Sequence, residues 1–70
     1  MTYTKINRRE ARKLFNKGEI ISMGASKMRP EWSAMVCKAL NRTFEQVENE
    51  VRYYNCNAET GRRVAYYSLT

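Results

Sequence analysis

The chain has 70 residues, of which 13 are lysine or arginine, seven are acidic and two are cysteine, and its net charge is +6. This length predicts a single domain, spanning residues 1–70, with a small hydrophobic core. The sequence has no histidine, which excludes a Ser-His or Cys-His nucleophile, and two cysteines are too few for a structural zinc site. We therefore expect a non-catalytic protein that uses no cofactor and no metal.

The sequence also lacks the marks of a membrane or secreted protein. No stretch approaches the roughly 20 apolar residues that a membrane span needs. The N-terminal "MTYTKINRREARK" lacks the apolar core of a signal peptide. We expect a cytoplasmic protein that makes no membrane contact and whose cysteines stay reduced.

The segment "INRREARKLFNKG" predicts a helix with one basic face. Asn7 caps its start, with Glu10 three residues later as in a capping box, and Gly18 supplies a left-handed stop. The narrow apolar face consists of Ala11, Leu14 and Phe15. No acidic residue four positions away neutralises the cations of the opposite face. We call these cations the basic ridge: Arg9, Arg12, Lys13 and Lys17.

Residues 19–24 predict a short strand, and a basic connection, "SKMRP", follows it. Pro30 suits the first turn of a helix, and apolar residues then recur at helical spacing up to Asn41. These apolar residues are Trp32, Met35, Val36, Ala39 and Leu40. The pattern predicts a second helix, at whose start Lys27 and Arg29 either hold an anion or belong to a solvated loop.

Thr43 and Gln46 have the spacing of a capping box and predict the start of a third helix. Its apolar stripe and those of the preceding elements predict one shared core. The expected core residues are Leu14, Phe15, Ile21, Trp32, Val36, Leu40, Phe44, Val47 and Val51. If Trp32 belongs to this core, Trp32→Ala would lower the free energy of unfolding by about 3–5 kcal/mol.

The segment "YYNCNAETGRRVAYY", residues 53–67, predicts a hairpin of strands near 53–57 and 62–69, with Gly61 in the turn. Alternation would place Tyr66 on one face of the second strand and Tyr67 on the other. With the strand near 19–24 this gives an α+β domain, a three-stranded antiparallel sheet with about three helices. Exposed tyrosines beside Arg62 and Arg63 would stack bases or pack on a protein, or else only pair across strands.

The two cysteines are predicted to be dispensable. Cys37 would lie in the middle of the second helix as a small packing residue, and Cys56 near the hairpin loop would be more accessible. No neighbour in the sequence clearly lowers the pKa of either thiol, so a redox role is not expected.

Three segments resemble small phage and prophage proteins of Gram-positive bacteria. They are "RxEAxxLF" at residues 8–15, "KMRP" at 27–30, and the tyrosine-asparagine-cysteine segment with its "ETG" turn at 53–67. The resemblance covers about half the chain and carries no established activity. It implies a phage accessory protein in the host cytoplasm that acts by binding, in the manner of inhibitors of host defence such as anti-CRISPR proteins.

The charge is unevenly distributed, since residues 1–30 hold eight basic residues against two glutamates and residues 31–61 hold three against five. We therefore predict a binding protein whose basic surface meets an acidic surface of a host nucleic-acid-handling defence complex. A DNA- or RNA-binding regulatory protein is the alternative, and a small enzyme is disfavoured by the lack of histidine. The sequence leaves the oligomeric state open. The candidate binding residues are Arg8, Arg9, Arg12, Lys13, Lys17, Lys27, Arg29, Tyr54, Arg62, Arg63 and Tyr67.

Overall fold

The structure, a computed structural model, describes residues 2–38 and 41–69. Its elements in chain order are β1 (Tyr3–Ile6), α1 (Arg8–Asn16), β2 (Ile21–Ala25), a 3₁₀ helix (Pro30–Trp32), β3 (Ala34–Val36), α2 (Phe44–Asn55) and β4 (Val64–Leu69). The strands form one antiparallel sheet in the order β1-β4-β2-β3. The predicted α+β class is confirmed, although the described residues form four strands and two α-helices where three of each were expected.

Both α-helices begin where their capping residues predict. The Glu10 backbone N–H donates to Asn7 Oδ1 over 2.8 Å at the start of α1. At the start of α2, the Gln46 N–H donates to Thr43 Oγ1 and the Thr43 N–H donates to Gln46 Oε1, which completes a capping box. Gly18 ends α1 with a φ of 92°, a left-handed conformation that favours glycine.

The core lies between the two helices and one face of the sheet. The eight residues at its centre are Ala11, Phe15, Ile21, Met23, Phe44, Val47, Val51 and Tyr66. Leu14 and Val36 are partly buried against this cluster. Of the predicted core residues, Leu40 lies outside the described residues. The assignment of Trp32 to the core is wrong, because its side chain is exposed.

The predicted second helix does not form among the described residues from Pro30 to Lys38. A single 3₁₀ turn ends at Trp32, and the chain then pairs with β2 as strand β3. This pairing places Val36 opposite Ile21 and leaves Met35 exposed. Trp32 is 67% exposed. The apolar spacing of this segment is consistent with a helix, but hydrogen bonds to β2 hold it extended.

Of the two strands of the predicted hairpin, the first does not form, and the second is present as β4. Residues 53–55 are the last turn of α2, and only an isolated bridge between Asn57 and Gly61 precedes β4. Strand β4 pairs instead with β2 and with β1, a strand that the sequence did not predict. The predicted alternation along β4 is confirmed, because Tyr66 joins the core while Tyr67 contacts Tyr3 on the other face.

Trp32→Ala is now expected to lower the free energy of unfolding by less than about 1 kcal/mol, since the ring is mostly in water and only stacks with Arg29. Urea titrations of the parent and the variant measure this difference. A loss of several kcal/mol would show that Trp32 belongs to the core after all.

Candidate functional site

Two of the candidate basic residues on α1 are paired with glutamates of α2. Arg8 donates to both carboxylate oxygens of Glu48, over 2.6 and 3.0 Å. Arg12 lies 3.4 Å from a carboxylate oxygen of Glu45, and both of these side chains are about half exposed. The sequence places no acid three or four positions from either arginine within α1, and the folded chain supplies the acids from the neighbouring helix. Arg8 and Arg12 therefore hold the two helices together as well as carrying charge.

The Arg8–Glu48 pair continues into the core through Tyr66. The Tyr66 hydroxyl donates to Glu48 Oε2, and Glu48 is only 4% exposed. Burial alone would raise the pKa of the Glu48 carboxyl, but hydrogen bonds from Arg8 and Tyr66 outweigh it and hold this pKa below its ordinary value. Burial, together with the hydrogen bond to Glu48, raises the pKa of Tyr66 to about 12. Glu48 is thus an ionised carboxylate with a structural role.

Three members of the basic ridge remain directed at solvent: Arg9, Lys13 and Lys17. They are spaced four residues apart, so they follow one another along one side of α1. None of the three is in an ion pair with another described residue. Since Arg12 is half exposed, it extends this charged surface toward α2.

A second basic surface forms where two loops meet at one end of the sheet. The Ser26 N–H donates to the Arg63 carbonyl over 2.8 Å, and the Lys27 N–H donates to the Thr60 carbonyl over 2.7 Å. These bonds bring Lys27 beside the turn that carries Arg62. Gly61 has a φ of 104°, and a Cβ there would collide with Ser26 Oγ, so a glycine is required for this close approach.

Arg29 and Trp32 belong to the same end of the molecule. The Arg29 guanidinium lies 5.7 Å from the centre of the Trp32 ring, the geometry of a cation–π pair. The predicted anion site at a helix start is not supported here, because the helix is a single 3₁₀ turn of three residues. Sequence reasoning missed Trp32 as a surface residue, although two charged residues shortly before it, Arg29 and Glu31, were a signal for exposure.

The two candidate tyrosines lie in different surroundings. Tyr54 is 77% exposed on the last turns of α2, where its ring packs edge-on against Tyr53. Tyr67 is on the sheet face away from the helices, but it is only 7% exposed, and the Tyr3 ring packs edge-on against it. Tyr54 can therefore contact a partner directly, whereas Tyr67 has little surface to offer.

A groove between α2 and β3 encloses about 240 Å³. Its walls include Val36, Val47 and Val51, and the polar residues Arg42 and Glu50 on its rim form an ion pair with each other. Cys37 and Tyr54 also line this groove.

The cysteines are both partly buried and are not joined by a disulfide. Cys37 was predicted to lie in the middle of the second helix, and this is wrong, because it directly follows strand β3. Burial raises the pKa of the Cys56 thiol, which makes it a weaker nucleophile at neutral pH. Within residues 2–38 and 41–69, no group of three or more metal-ligating side chains comes together.

In the part of the chain that the structure describes, neither helix is long and apolar enough to cross a membrane. No protein-family model, curated protein or solved structure matches the chain.

Proposed function

We propose that this chain is a non-catalytic binding protein of phage type, and that the exposed part of its basic ridge binds an acidic surface of a host nucleic-acid-handling defence complex. It would act as an inhibitor, in the manner of anti-CRISPR proteins. The resemblance to phage proteins supports a host complex as the partner, and the charges on α1 support this binding surface.

The observation that supports this surface most strongly is the arrangement of Arg9, Lys13 and Lys17. Each is one helical turn from the next, so the three cations form a row about 12 Å long. Like charges four residues apart on a helix repel each other by about 0.2–0.5 kcal/mol per pair. A negatively charged partner would remove this repulsion, so the row is better suited to binding than to stabilising the free protein.

The same face favours a protein partner over a phosphate backbone. Glu10 and Asn16 are exposed beside the row, so the surface presents an acid and an amide among its cations. A regular array of phosphates would meet Glu10 with repulsion. An acidic protein surface can place a hydrogen-bond donor or a cation opposite Glu10 and carboxylates opposite the row, and such complementarity gives specificity.

We expect Arg9→Glu/Lys13→Glu to fold normally and to lose its protein partner, because both side chains are exposed and lie away from the core. The measurement is capture from a host lysate on the immobilised protein, with and without nuclease treatment, followed by mass spectrometry. The parent should retain an acidic protein in both samples, in a defined stoichiometry.

The matched control is Lys5→Glu/Lys38→Glu, which changes the net charge by the same amount at two other exposed positions. This control should still capture the protein. If capture disappeared after nuclease treatment, or survived in the Arg9→Glu/Lys13→Glu variant, the proposed surface would be wrong.

A further inference from the structure

We propose a second binding site, separate from the basic ridge, that takes single-stranded nucleic acid. Its residues, which we call the loop patch, are Lys27, Arg29, Trp32, Arg62 and Arg63. In this site an unpaired base stacks on Trp32 and the neighbouring phosphates contact the basic side chains.

The fold brings the loop patch together from two distant parts of the sequence. Strands β2 and β4 pair so that Ala25, at the end of β2, lies opposite Val64, at the start of β4. The loop after β2 and the loop before β4 therefore leave the sheet at the same end. Two backbone hydrogen bonds, from Ser26 and Lys27 to the other loop, join them. The patch is thus held in place by the backbone, and its side chains do not depend on one flexible loop.

Trp32 has the properties of a stacking platform. It is the single tryptophan of the chain, and it is about two-thirds exposed at the end of the 3₁₀ turn. Arg29 lies over its ring, which leaves the other side of the indole for a base. Stacking on aromatic rings and on arginine planes is how proteins hold unpaired bases. A base inside a duplex has no free face, so this contact selects single strands.

The charges of the two loops suit a phosphate backbone. Lys27, Arg29, Arg62 and Arg63 are all exposed, and the acidic residues on the same loops are Glu31 and Glu59. The last turn of α2, which leads into the same loop, adds the exposed rings of Tyr53 and Tyr54. Basic side chains together with exposed aromatic rings are the groups that bind single strands without sequence preference.

A protein partner is less well matched to this patch. Binding hot spots around tryptophan lie in dry, well-packed centres that neighbouring contacts shield from water. Here the residues next to Trp32 along both loops are mostly charged or polar, and they would have to lose water for a protein to cover the ring. Nucleic acid binds through wet, charged contacts of this kind.

The test is the affinity of dye-labelled oligothymidylate and oligouridylate, each about 12 nucleotides long, measured by fluorescence anisotropy at several salt concentrations. We expect both to bind, a duplex of the same length to bind less tightly, and the Trp32 emission of the parent to be quenched on binding. Trp32→Ala should weaken binding roughly 5- to 150-fold, the range for losing one stacked base. Trp32→Phe, which keeps a ring, should recover part of this loss.

Arg62→Glu/Arg63→Glu should make the slope of log affinity against log salt shallower by about 1.4, because two phosphate contacts are lost. The control Lys5→Glu/Lys38→Glu, with the same change in net charge, should bind the oligonucleotides like the parent.

The proposal is overturned if single strands do not bind, if the duplex binds equally well, or if Trp32→Ala binds like the parent. It is also overturned if Trp32→Ala instead abolishes capture of a protein from nuclease-treated lysate. None of these outcomes depends on the basic ridge, so the two sites succeed or fail separately.

Discussion

Phe44→Ala is expected to lower the free energy of unfolding by about 3–5 kcal/mol, a large part of the stability that a domain of this size has. Phe44 is 1% exposed and is the first residue of α2. Its ring centre lies 5.7 Å from that of Phe15 and 6.1 Å from that of Tyr66, and the Arg8 guanidinium is 5.4 Å away. Removing it would leave a cavity where α1, α2 and β4 meet.

Thermal and urea unfolding of the purified variant measure this loss. Tyr53→Ala is the matched control, because it removes an aromatic ring from the same helix at an exposed position, where the cost should stay below about 1 kcal/mol. If the two variants lost similar stability, α2 would not pack on the sheet through Phe44.

Glu48→Ala is expected to lower the free energy of unfolding by about 2–4 kcal/mol, because it leaves the Tyr66 hydroxyl and the Arg8 guanidinium without their shared acceptor. Glu45→Ala is the control. It removes the other interhelical pair, in which both side chains are about half exposed, and such pairs contribute less than about 1 kcal/mol. Equal losses in the two variants would contradict the role of the buried carboxylate.

The contribution of Glu48 should also depend on pH. Because the folded state lowers the pKa of this carboxyl below its ordinary value of 4.5, its stabilising effect is complete above that value. The effect is lost as the pH falls through the lower pKa of the folded state. The difference in unfolding free energy between the parent and Glu48→Ala should therefore shrink below about pH 4.5. A difference that stayed constant down to pH 3 would mean that the Glu48 charge is not what stabilises the fold.

Local signals predicted the two helices well. Asn7, Thr43 and Gln46 satisfy the free N–H groups of the first turns, and Gly18 adopts the backbone conformation that ends a helix. Each of these effects depends on residues within a few positions of each other, so they can be inferred from the sequence directly.

Long-range strand pairing explains most of the predictions from the sequence that were wrong. Trp32 and Val36 have helical spacing, but β3 forms because it completes the edge of β2, which is a contact outside the segment itself. The pair Tyr53–Tyr54 suggested a strand, yet α2 continues through it from its strong N-terminal cap. Strand β1 has only four residues and is recognisable only through its partner, β4.

The same reasoning applies to the candidate sites. The exposed ridge residues Arg9, Lys13 and Lys17 followed from the helical repeat, but the pairing of Arg8 and Arg12 with α2 required the packing of the two helices. The loop patch could not be assembled from the sequence, because it depends on two backbone hydrogen bonds between loops.

The most direct test of the proposed function is the association rate of the chain with its captured protein partner, measured at several salt concentrations. Charges at the rim of an interface act mainly on this rate. We predict that Arg9→Glu/Lys13→Glu slows association by at least about 10-fold at low salt and weakens its salt dependence. Lys5→Glu/Lys38→Glu has the same net charge as Arg9→Glu/Lys13→Glu, but it should associate at the rate of the parent. Equal association rates for the two double variants would contradict the assignment of the basic ridge as the partner-binding surface.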